Sequence, residues 1–315
     1  FFQRARANGK RAEKDWSKRF EAYRREYREM AAEFERRMAG RLPEGWDAGL
    51  PNFDTDPKGM ATRAASGKVL NALAERLPEI MGGSADLTPS NNTWLTSSHA
   101  YQSGAPDGRY LHFGVREHGM GSVTNGLALH GGILPYAATF AVFSDYMRPA
   151  VRLSALSHYH STWVFTHDSV GLGEDGPTHQ PVEHLAALRA IPNLSVIRPA
   201  DANEVREAWV QAISTPHKPT ALLLSRQNVS TLDRNWLADA AGLHRGAYVL
   251  ADLGQGEPQI ILMATGSEVD LIVAAGQTLA AEGIALRLVS FPSWDLFELQ
   301  DQAYRDSVLP PQLKI

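Results

Sequence analysis

Short apolar runs alternate with longer amphipathic segments over residues 62–227. The short runs end in polar or glycine-rich turns and predict strands, and the longer segments repeat apolar residues at helical spacing and predict helices. The predicted strands are 79–83, 110–113, 133–136, 163–166, 194–197 and 220–224, and the predicted helices are 62–77, 117–130, 143–157 and 202–213. This alternation predicts an α/β fold in which a parallel sheet carries helices on both faces, and the polar segments after the strands should gather at one edge.

The first 41 residues are rich in Arg, Lys and Glu and carry large apolar residues at intervals of three or four. The spacing predicts one helical stripe made of Trp16, Phe20, Tyr23, Tyr27, Met30, Phe34 and Met38. A basic amphipathic helix can contact nucleic acid or a membrane, but the acids between the arginines favour ordinary ion pairs along the helix. We expect a linker helix whose stripe packs on a domain, followed by a linker at residues 42–57.

The end of the chain has the pattern of a second, incomplete α/β unit. After a predicted linker at 231–246, a strand is predicted at 259–264, a helix at 268–282 and a strand at 285–290. This is the start of a βαβ unit, and two strands with one helix do not complete a sheet. The turn Thr265-Gly266-Ser267 could bind an anion at the start of the predicted helix. It does not have the G-x-G-x-x-G pattern of a dinucleotide site, so we expect tight packing between strand and helix, with Ser267 as the helix cap.

Residues 167–181, directly after a predicted strand, hold two histidines, three acids, three glycines and two prolines. Functional groups cluster on loops held by a rigid scaffold, so this density favours a binding or catalytic role over a polar turn that caps backbone groups. The His and Asp spacing in the loop fits no metal-ligand template. We predict no metal ligand in this chain.

Composition narrows the class of protein. The 315 residues are 43% hydrophobic, enough for about two domains, and the net charge of −4 gives no reason to expect a nucleic-acid partner. The absence of cysteine excludes disulfides, thiolate metal sites and a thiol nucleophile. No apolar run is long enough to cross a bilayer and no secretory signal is visible at the start, so we expect a cytoplasmic enzyme.

Three segments together resemble the transketolase family: Gly82–Asn91, Phe113–His118 and the loop at 167–181, in the family's order and approximate spacing. The resemblance runs from about Asp54 to Asn228 and continues more weakly to the end. It implies a pyrimidine-binding domain that uses thiamine diphosphate. The implied reaction is reversible transfer of a two-carbon ketol unit from a ketose phosphate to an aldose phosphate, in the pentose phosphate pathway.

The resemblance assigns cofactor contacts to residues whose patterns alone are ambiguous. Glu117 alone fits equally a helix-start glutamate stabilised by the helix dipole or a carboxylate sharing a proton with a ring nitrogen. The resemblance implies that Glu117 is catalytic and bonds N1′ of the aminopyrimidine, which promotes the imino tautomer that removes the C2 proton of the thiazolium. The spacing of three would place the aromatic residues Phe140, Phe143 and Tyr146 on one side of a helix, where such residues usually belong to the hydrophobic core. The resemblance implies instead that these rings stack around the aminopyrimidine. It implies that Asp86 lies near the thiazolium and the dimer interface.

Four residues far apart in sequence would alone be surface or salt-bridge residues, but the resemblance implies that they hold the terminal phosphate of a sugar phosphate. They are Arg63, Ser90, His167 and Arg226. The planar fork of Arg suits phosphate. The resemblance also implies that Asp175 and His179 contact substrate hydroxyls and the reacting carbonyl, with His179 moving protons during carbon–carbon cleavage.

The family also needs an upstream Gly-Asp-Gly and a later Asn to hold Mg²⁺ and the diphosphate, and the sequence contains no such segment. The metal is needed because it neutralises the diphosphate. We expect residues 1–55 to be a linker helix and connection from a missing upstream domain, 56–230 the pyrimidine-binding domain, 231–246 a linker and 247–315 a partial C-terminal domain. We expect the chain to be a fragment or split subunit that is inactive alone, with the missing domain in cis or in trans and a homodimer as the complete protein.

Three other interpretations stay open. The chain can be a noncatalytic relative used for dimerisation or regulation, but Glu117, Asp175 and His179 disfavour this because a binding module does not need all three. It can belong to another thiamine enzyme, such as dihydroxyacetone synthase or 1-deoxyxylulose-5-phosphate synthase. It can also be one subunit of a split transketolase.

Overall fold

The computed structural model of the chain describes residues 1–313, so Lys314 and Ile315 of the expected C-terminal domain lie outside the described residues. The chain begins with two helices, α1 (Phe2–Glu26) and α2 (Arg28–Met38), where the spacing predicts one. The break is at Tyr27, whose φ of −125° and ψ of 65° are not helical.

The rings of the stripe pack across this break, whereas Met38 at its end lies against Gly132 of the following domain, so the expected packing on a domain is seen only at that end. The rings of Phe20 and Phe34 lie 5.5 Å apart between centroids, and α1 has no buried residue. Instead α2 docks on the following domain through Arg36, whose Nη1 lies 2.9 Å from Oε1 of the buried Glu79. Aromatic rings that pack against each other across a turn bury apolar area without contacting a domain.

A six-stranded parallel sheet forms the middle of the chain, as predicted. Its strands are β2 (Ile80–Ser84), β3 (Tyr110–His112), β4 (Leu134–Phe140), β5 (Thr162–Thr166), β6 (Ser195–Ile197) and β7 (Thr220–Leu224). They lie in the order β3-β2-β4-β5-β7-β6, and all five neighbouring pairs are parallel. All carboxyl ends therefore meet at one edge of the sheet.

Helices cover both faces of this sheet. They are α3 (Thr62–Arg76), α4 (Thr88–Asn91), α5 (Glu117–His130), α6 (Ser144–Leu156), α7 (His184–Arg189) and α8 (Ala202–Ser214). One core contains α3 and α8, and the other contains α5 and α6. Strand β5 divides its side chains between them: Val164 faces the first core, and Trp163 and Phe165 face the second. This is the two-sided burial expected of a parallel strand.

A two-stranded antiparallel ribbon that the sequence does not predict joins the two ends of this domain. Its strands are β1 (Asp56–Ala61) and β8 (Asn228–Thr231). Pro57 and Gly59 make the first segment look like a turn. Gly59 has φ +53°, and a Cβ there would lie 1.7 Å from the carbonyl oxygen of Val229, so the close strand contact requires glycine.

The C-terminal unit has three strands, β9 (Tyr248–Leu253), β10 (Ile260–Ala264) and β11 (Leu286–Ser290), in the order β10-β11-β9. Parallel β10 and β11 with α9 (Glu268–Ala281) confirm the predicted βαβ unit, and α10 (Trp294–Glu298) and α11 (Gln302–Val308) follow. The sequence did not predict β9, which pairs antiparallel with β11. It contains Ala251 and Asp252, residues with low β-propensity, which weaken the strand pattern. Among residues 1–313, no helix has the length and apolar character needed to span a membrane.

The turn between β10 and α9 packs against a buried arginine of the first domain. Arg198 Nη1 donates to the carbonyl oxygen of Thr265 at 2.7 Å, and a Cβ on Gly266 would lie 2.6 Å from Arg198 Nε. The predicted tight packing is therefore present. The predicted side-chain cap is absent: Ser267 is the N-cap residue of α9, but its hydroxyl bonds Arg198 and Glu268 and makes no cap bond.

Candidate active site

The predicted functional residues follow the carboxyl ends of parallel strands. Asp86 follows β2, Glu117 begins the helix after β3, His167 directly follows β5, and Arg226 comes two residues after β7. The strands are parallel, so these residues gather at one edge, as the sequence predicts. Glu117 is buried at 7% exposure and Asp86 is exposed.

Two of these residues have left-handed backbones. Asp86 and His167 both have φ of 61°, a conformation uncommon outside glycine. Each lies where the chain leaves a strand, so the conformation turns the backbone sharply and sets the direction of the side chain. Unfavourable backbone conformations of this kind concentrate at functional sites.

Three aromatic side chains form a stack that runs from the core to the surface, and a histidine ring lies against it. The rings of Phe140 and Phe143 are 5.6 Å apart at 12°, and those of Phe143 and Tyr146 are 5.9 Å apart at 29°. The ring of His179 meets Phe143 edge-on at 5.4 Å. Phe140 is 6% exposed and Tyr146 is 65% exposed. The stack therefore offers an open aromatic face beside a histidine.

The spacing argument for these rings was wrong, although the rings do come together. Phe140 is the last residue of β4, Phe143 is the N-cap residue of α6, and Tyr146 lies in the first turn of α6. They do not share one side of a helix, because a strand-to-helix turn separates the first two. The turn brings the rings together, so residue spacing along a helix was not the relevant signal.

A cluster of charged residues lies next to the stack. Arg226 Nε lies 3.0 Å from Asp175 Oδ2, and its Nη2 also bonds Glu174. Arg63 Nη1 donates to the backbone oxygen of Ser90 at 2.7 Å. Burial lowers the pKa of Arg63, and the like charge of Arg226 lowers it further. Two guanidinium groups close together are a suitable binding site for an anion.

The residues that bring the two arginines together were not found from the sequence. Thr62, before Arg63, and Ser225, before Arg226, exchange hydrogen bonds: the backbone N–H of Ser225 donates to Thr62 Oγ1 at 2.7 Å, and that of Thr62 donates to Ser225 Oγ at 3.0 Å. Both side chains are buried. This reciprocal pair joins the start of α3 to the end of β7. Lone Thr and Ser residues 163 positions apart carry no pairing signal in one sequence.

His167 lies between the aromatic stack and the charged cluster. Its ring centroid is 3.7 Å from that of Phe140, its Nε2 is 3.6 Å from Asp175 Oδ2, and it is 2% exposed. The pKa of His167 is lowered to about 4, first by burial and then by the positive charge of Arg63, while Asp175 acts against the shift. The ring is therefore neutral at pH 7 and can donate one hydrogen bond through one nitrogen and accept one at the other.

In the described part of the chain, one group of three side chains has the proximity of metal ligands: Asp145, Glu183 and His184. His184 Nε2 lies 3.1 Å from Asp145 Oδ2, and its Nδ1 lies 3.8 Å from Glu183 Oε2. Each carboxylate faces a different ring nitrogen, and the two nitrogens point in different directions. A histidine flanked by acids fits this geometry better than ligands that converge on one ion. The sequence did not predict this group.

The gathered residues include buried groups such as Glu117 and His167 and an exposed ring, that of Tyr146. A cleft of about 500 Å³ lies at the opposite edge of the sheet, near the amino ends of β4 and β5, lined by residues that include Arg37, Leu42, His158 and His217. The carboxyl edge is the better candidate for the functional site, because the convergent polar groups and His167, with its lowered pKa, lie there. The exposed aromatic ring of Tyr146 at this edge suits a site that a second domain completes.

Comparison with known families agrees with this geometry. Residues 58–231 match the transketolase pyrimidine binding domain, residues 246–315 match the transketolase-like C-terminal domain, and residues 1–43 match the transketolase thiamine diphosphate binding domain. The chain belongs to the transketolase family, which confirms the resemblance seen in the sequence. The match at 1–43 covers the two N-terminal helices.

Curated relatives named transketolase match nearly the whole chain. The protein from Geobacillus stearothermophilus is 50% identical over 303 residues, which are 96% of this chain and 45% of the relative. The protein from Mycobacterium tuberculosis H37Rv is 52% identical over 322 residues, covering 97% of this chain and 45% of the relative. The chain thus spans about half the length of the curated relatives it matches.

Solved structures give the same family and fold. A transketolase from Pichia stipitis in complex with sedoheptulose 7-phosphate has a TM-score of 0.91 and 45% identity, covering 96% of this chain and 45% of that one. A chain described as a split gene transketolase, inactive beta4 tetramer, has a TM-score of 0.59 and 29% identity, covering 75% of this chain and 72% of that one. The predicted α/β fold with a parallel sheet is confirmed.

Proposed function

We propose that this chain supplies the pyrimidine-binding half of a transketolase active site. The complete protein would reversibly transfer a two-carbon ketol unit from a ketose phosphate to an aldose phosphate, in the cytoplasmic pentose phosphate pathway. The observation that carries the proposal is the aromatic stack beside paired arginines and a neutral histidine at the carboxyl edge of the sheet. An aromatic surface and an anion site are what a heteroaromatic cofactor and a sugar phosphate need together.

The residues present fit the pyrimidine of thiamine diphosphate. Phe143 and Tyr146 offer near-parallel rings with an exposed face for stacking. Glu117, buried at the start of α5, would hold N1′ of the pyrimidine and keep a proton shared there. When bound, thiamine diphosphate supplies the electron sink for carbon–carbon cleavage. Asp86, exposed in the turn after β2, would face the thiazolium side and the dimer interface.

The paired arginines would hold the terminal phosphate of the substrate. Arg63 and Arg226 would bind its oxygens, with Ser90 and the neutral His167 completing the site. Two further side chains, Asp175 and His179, would contact substrate hydroxyls and the reacting carbonyl. His179 lies against Phe143, beside the stacking face, which suits a group that moves protons at the reacting carbons. The relatives solved with sugar phosphates support this substrate class.

The diphosphate and Mg²⁺ would be held by the remainder of the thiamine diphosphate-binding domain, of which residues 1–43 match only a part. We infer that the chain alone binds the cofactor poorly and is inactive, and that a diphosphate-binding domain completes the site in cis or in trans across a homodimer. A noncatalytic or split-subunit role is the alternative. The split gene transketolase described as an inactive tetramer supports that alternative, because its structure matches 75% of this chain.

The test is reconstitution. The chain is assayed for ketol transfer to ribose 5-phosphate alone, and again with a transketolase thiamine diphosphate-binding domain joined in cis or added in trans. We expect activity with the added domain, and we expect Glu117→Gln to remove it. Asp107→Asn, at an exposed acid, is the control that should not change turnover. Robust turnover by the 315-residue chain alone refutes the missing-half inference.

Other outcomes of the same assay separate the rival functions. Ketol transfer to formaldehyde, or condensation with pyruvate, in place of transfer to ribose 5-phosphate would identify another thiamine enzyme. No thiamine-dependent turnover in any reconstituted form would support the noncatalytic role. Co-purification of a separate diphosphate-binding chain would support a split subunit.

A further inference from the structure

A line of buried hydrogen bonds runs from the turn after β2 to the ring of His167. The backbone N–H of Leu87 donates to Ser84 Oγ at 3.2 Å, Ser84 Oγ donates to Asn91 Oδ1 at 2.6 Å, and Asn91 Nδ2 donates to Thr166 Oγ1 at 2.7 Å. Thr166 Oγ1 lies 2.9 Å from Nδ1 of His167. The three middle side chains are at most 1% exposed, so each bond must be made within the protein.

The first bond sets the direction of all the others, because a backbone N–H can only donate. Ser84 accepts from Leu87, and Asn91 Oδ1 is the buried acceptor for the proton of Ser84. The amide of Asn91 therefore turns its nitrogen toward Thr166. Thr166 accepts from that nitrogen, and Nδ1 of His167, 2.9 Å away, is the acceptor for its own hydroxyl proton, which would be costly to bury without a partner. The opposite amide orientation would leave the proton of Ser84 buried without an acceptor, which is costly.

We propose that Asn91 is a positioning residue that fixes His167 as the neutral tautomer protonated at Nε2. In this tautomer Nδ1 accepts from Thr166, and the N–H at Nε2 points into the charged cluster, where Asp175 Oδ2 lies 3.6 Å away. The tautomer follows from the hydrogen bonds alone. Its use as a donor to the substrate phosphate rests on the proposed function.

The tautomer decides what His167 presents to an anion. An N–H at Nε2 donates to a phosphate oxygen, whereas the other tautomer presents a lone pair that repels it. The low pKa of His167 keeps the ring uncharged near pH 7, so protonation does not supply the donor instead. A hydrogen bond to a charged group is among the stronger ones, and its loss weakens binding by about tenfold or more.

The experiment reads the tautomer directly in the unliganded chain. Long-range ¹H–¹⁵N spectra of the histidine rings at pH 7 distinguish protonated from unprotonated nitrogens. We expect Nε2 of His167 to carry the proton in the wild-type protein. In Asn91→Asp the new carboxylate cannot donate, so Thr166 turns its proton toward it and Nδ1 of His167 must donate. We expect the tautomer to reverse and the affinity for inorganic phosphate to fall about tenfold.

An exposed pair of the same kind is the matched control. Thr178 Oγ1 lies 2.9 Å from Nδ1 of His179, so Thr178→Val removes a hydroxyl next to a histidine outside the buried line. It should leave the spectrum of His167 unchanged. Thr166→Val is the second test variant, because it is nearly isosteric and carries no buried charge. We expect it to abolish the preference for Nε2–H even where Asn91→Asp does not fold.

Two results would overturn the inference: a wild-type His167 protonated at Nδ1, or an unchanged tautomer in the folded variants. Failure of the proposed function looks different. If the tautomer reverses as expected but the wild-type chain binds no phosphate, the role of Asn91 stands and the phosphate site does not. Retention of full phosphate affinity after reversal would refute the link between tautomer and binding.

Discussion

Removal of Arg198 should destabilise the chain strongly, because this residue joins the sheet domain to the C-terminal unit. Its Nε lies 2.6 Å from Asp168 Oδ2, and its Nη1 reaches Glu268 and the carbonyl oxygen of Thr265. Arg198 is 4% exposed and Asp168 is 6% exposed. Burial lowers the pKa of Arg198, but the negative charges of Asp168 and Glu268 outweigh burial and raise it.

The size of the effect follows from the charge that is left behind. In Arg198→Met, the carboxylate of Asp168 stays buried without its cation, and breaking a buried pair in this way costs about 3–5 kcal/mol. Burial already raises the pKa of Asp168, and loss of Arg198 raises it further. A carboxyl whose folded-state pKa lies above its unfolded value of about 4 binds more protons when folded. The penalty should therefore be largest near pH 7 and should shrink as pH falls toward 4.

Urea unfolding of the wild-type protein, Arg198→Met, Asp168→Asn and the double variant provides the test. We expect the double variant to be more stable than Arg198→Met, because no buried charge remains. Asp252→Asn removes the charge of a carboxylate that is 46% exposed and pairs with Arg287, where Nε and Oδ1 are 2.7 Å apart, and is expected to cost at most about 1 kcal/mol. Equal losses for Arg198→Met and Asp252→Asn, or a penalty for Arg198→Met that does not depend on pH, would refute the reasoning.

Three further predictions concern single side chains. The pKa of His167 is about 4 when folded and about 6.5 when unfolded, so the stability of the chain should fall as pH drops through this window, and His167→Gln should flatten that slope in urea titrations. Glu174→Gln frees Arg226 from an exposed partner and should tighten phosphate binding up to about fivefold at low salt by calorimetry; weaker binding would contradict this. Trp209→Phe removes the 2.8 Å bond from Nε1 to Ser66 Oγ and should cost about 1–3 kcal/mol in thermal unfolding, partly recovered by adding Ser66→Ala.

The sequence predicted the sheet well because its strands are buried on both faces. β5 and β7 are continuous apolar runs, and such runs are visible without any knowledge of their partners. The position of His167 follows directly, since the residue after a parallel strand must lie at the carboxyl edge. The sequence pattern could therefore place those site residues that directly follow a predicted strand.

Features set by distant pairing could not be predicted in this way. β1 contains Pro57 and Gly59 and forms a strand because β8 lies beside it. The break at Tyr27 carries no glycine or proline, so helical periodicity continues through it. Arg63 lies one residue into a helix and has no local mark of function. It reaches the site because Thr62 binds the end of β7, a contact between segments more than 160 residues apart.

If the proposed function is right, the charges at the carboxyl edge of the sheet should favour a phosphate dianion over a neutral sugar group. Arg63 has a neutral hydrogen-bond partner in the Ser90 carbonyl, and its pKa is lowered partly by the like charge of Arg226. A dianion between the two guanidinium groups would relieve that repulsion, whereas a hydroxyl would not. The carboxylates of Glu174 and Asp175 form ion pairs with Arg226. In the proposed site, a phosphate would compete with these carboxylates for Arg226, so the loop at 167–181 would limit how tightly the phosphate is held.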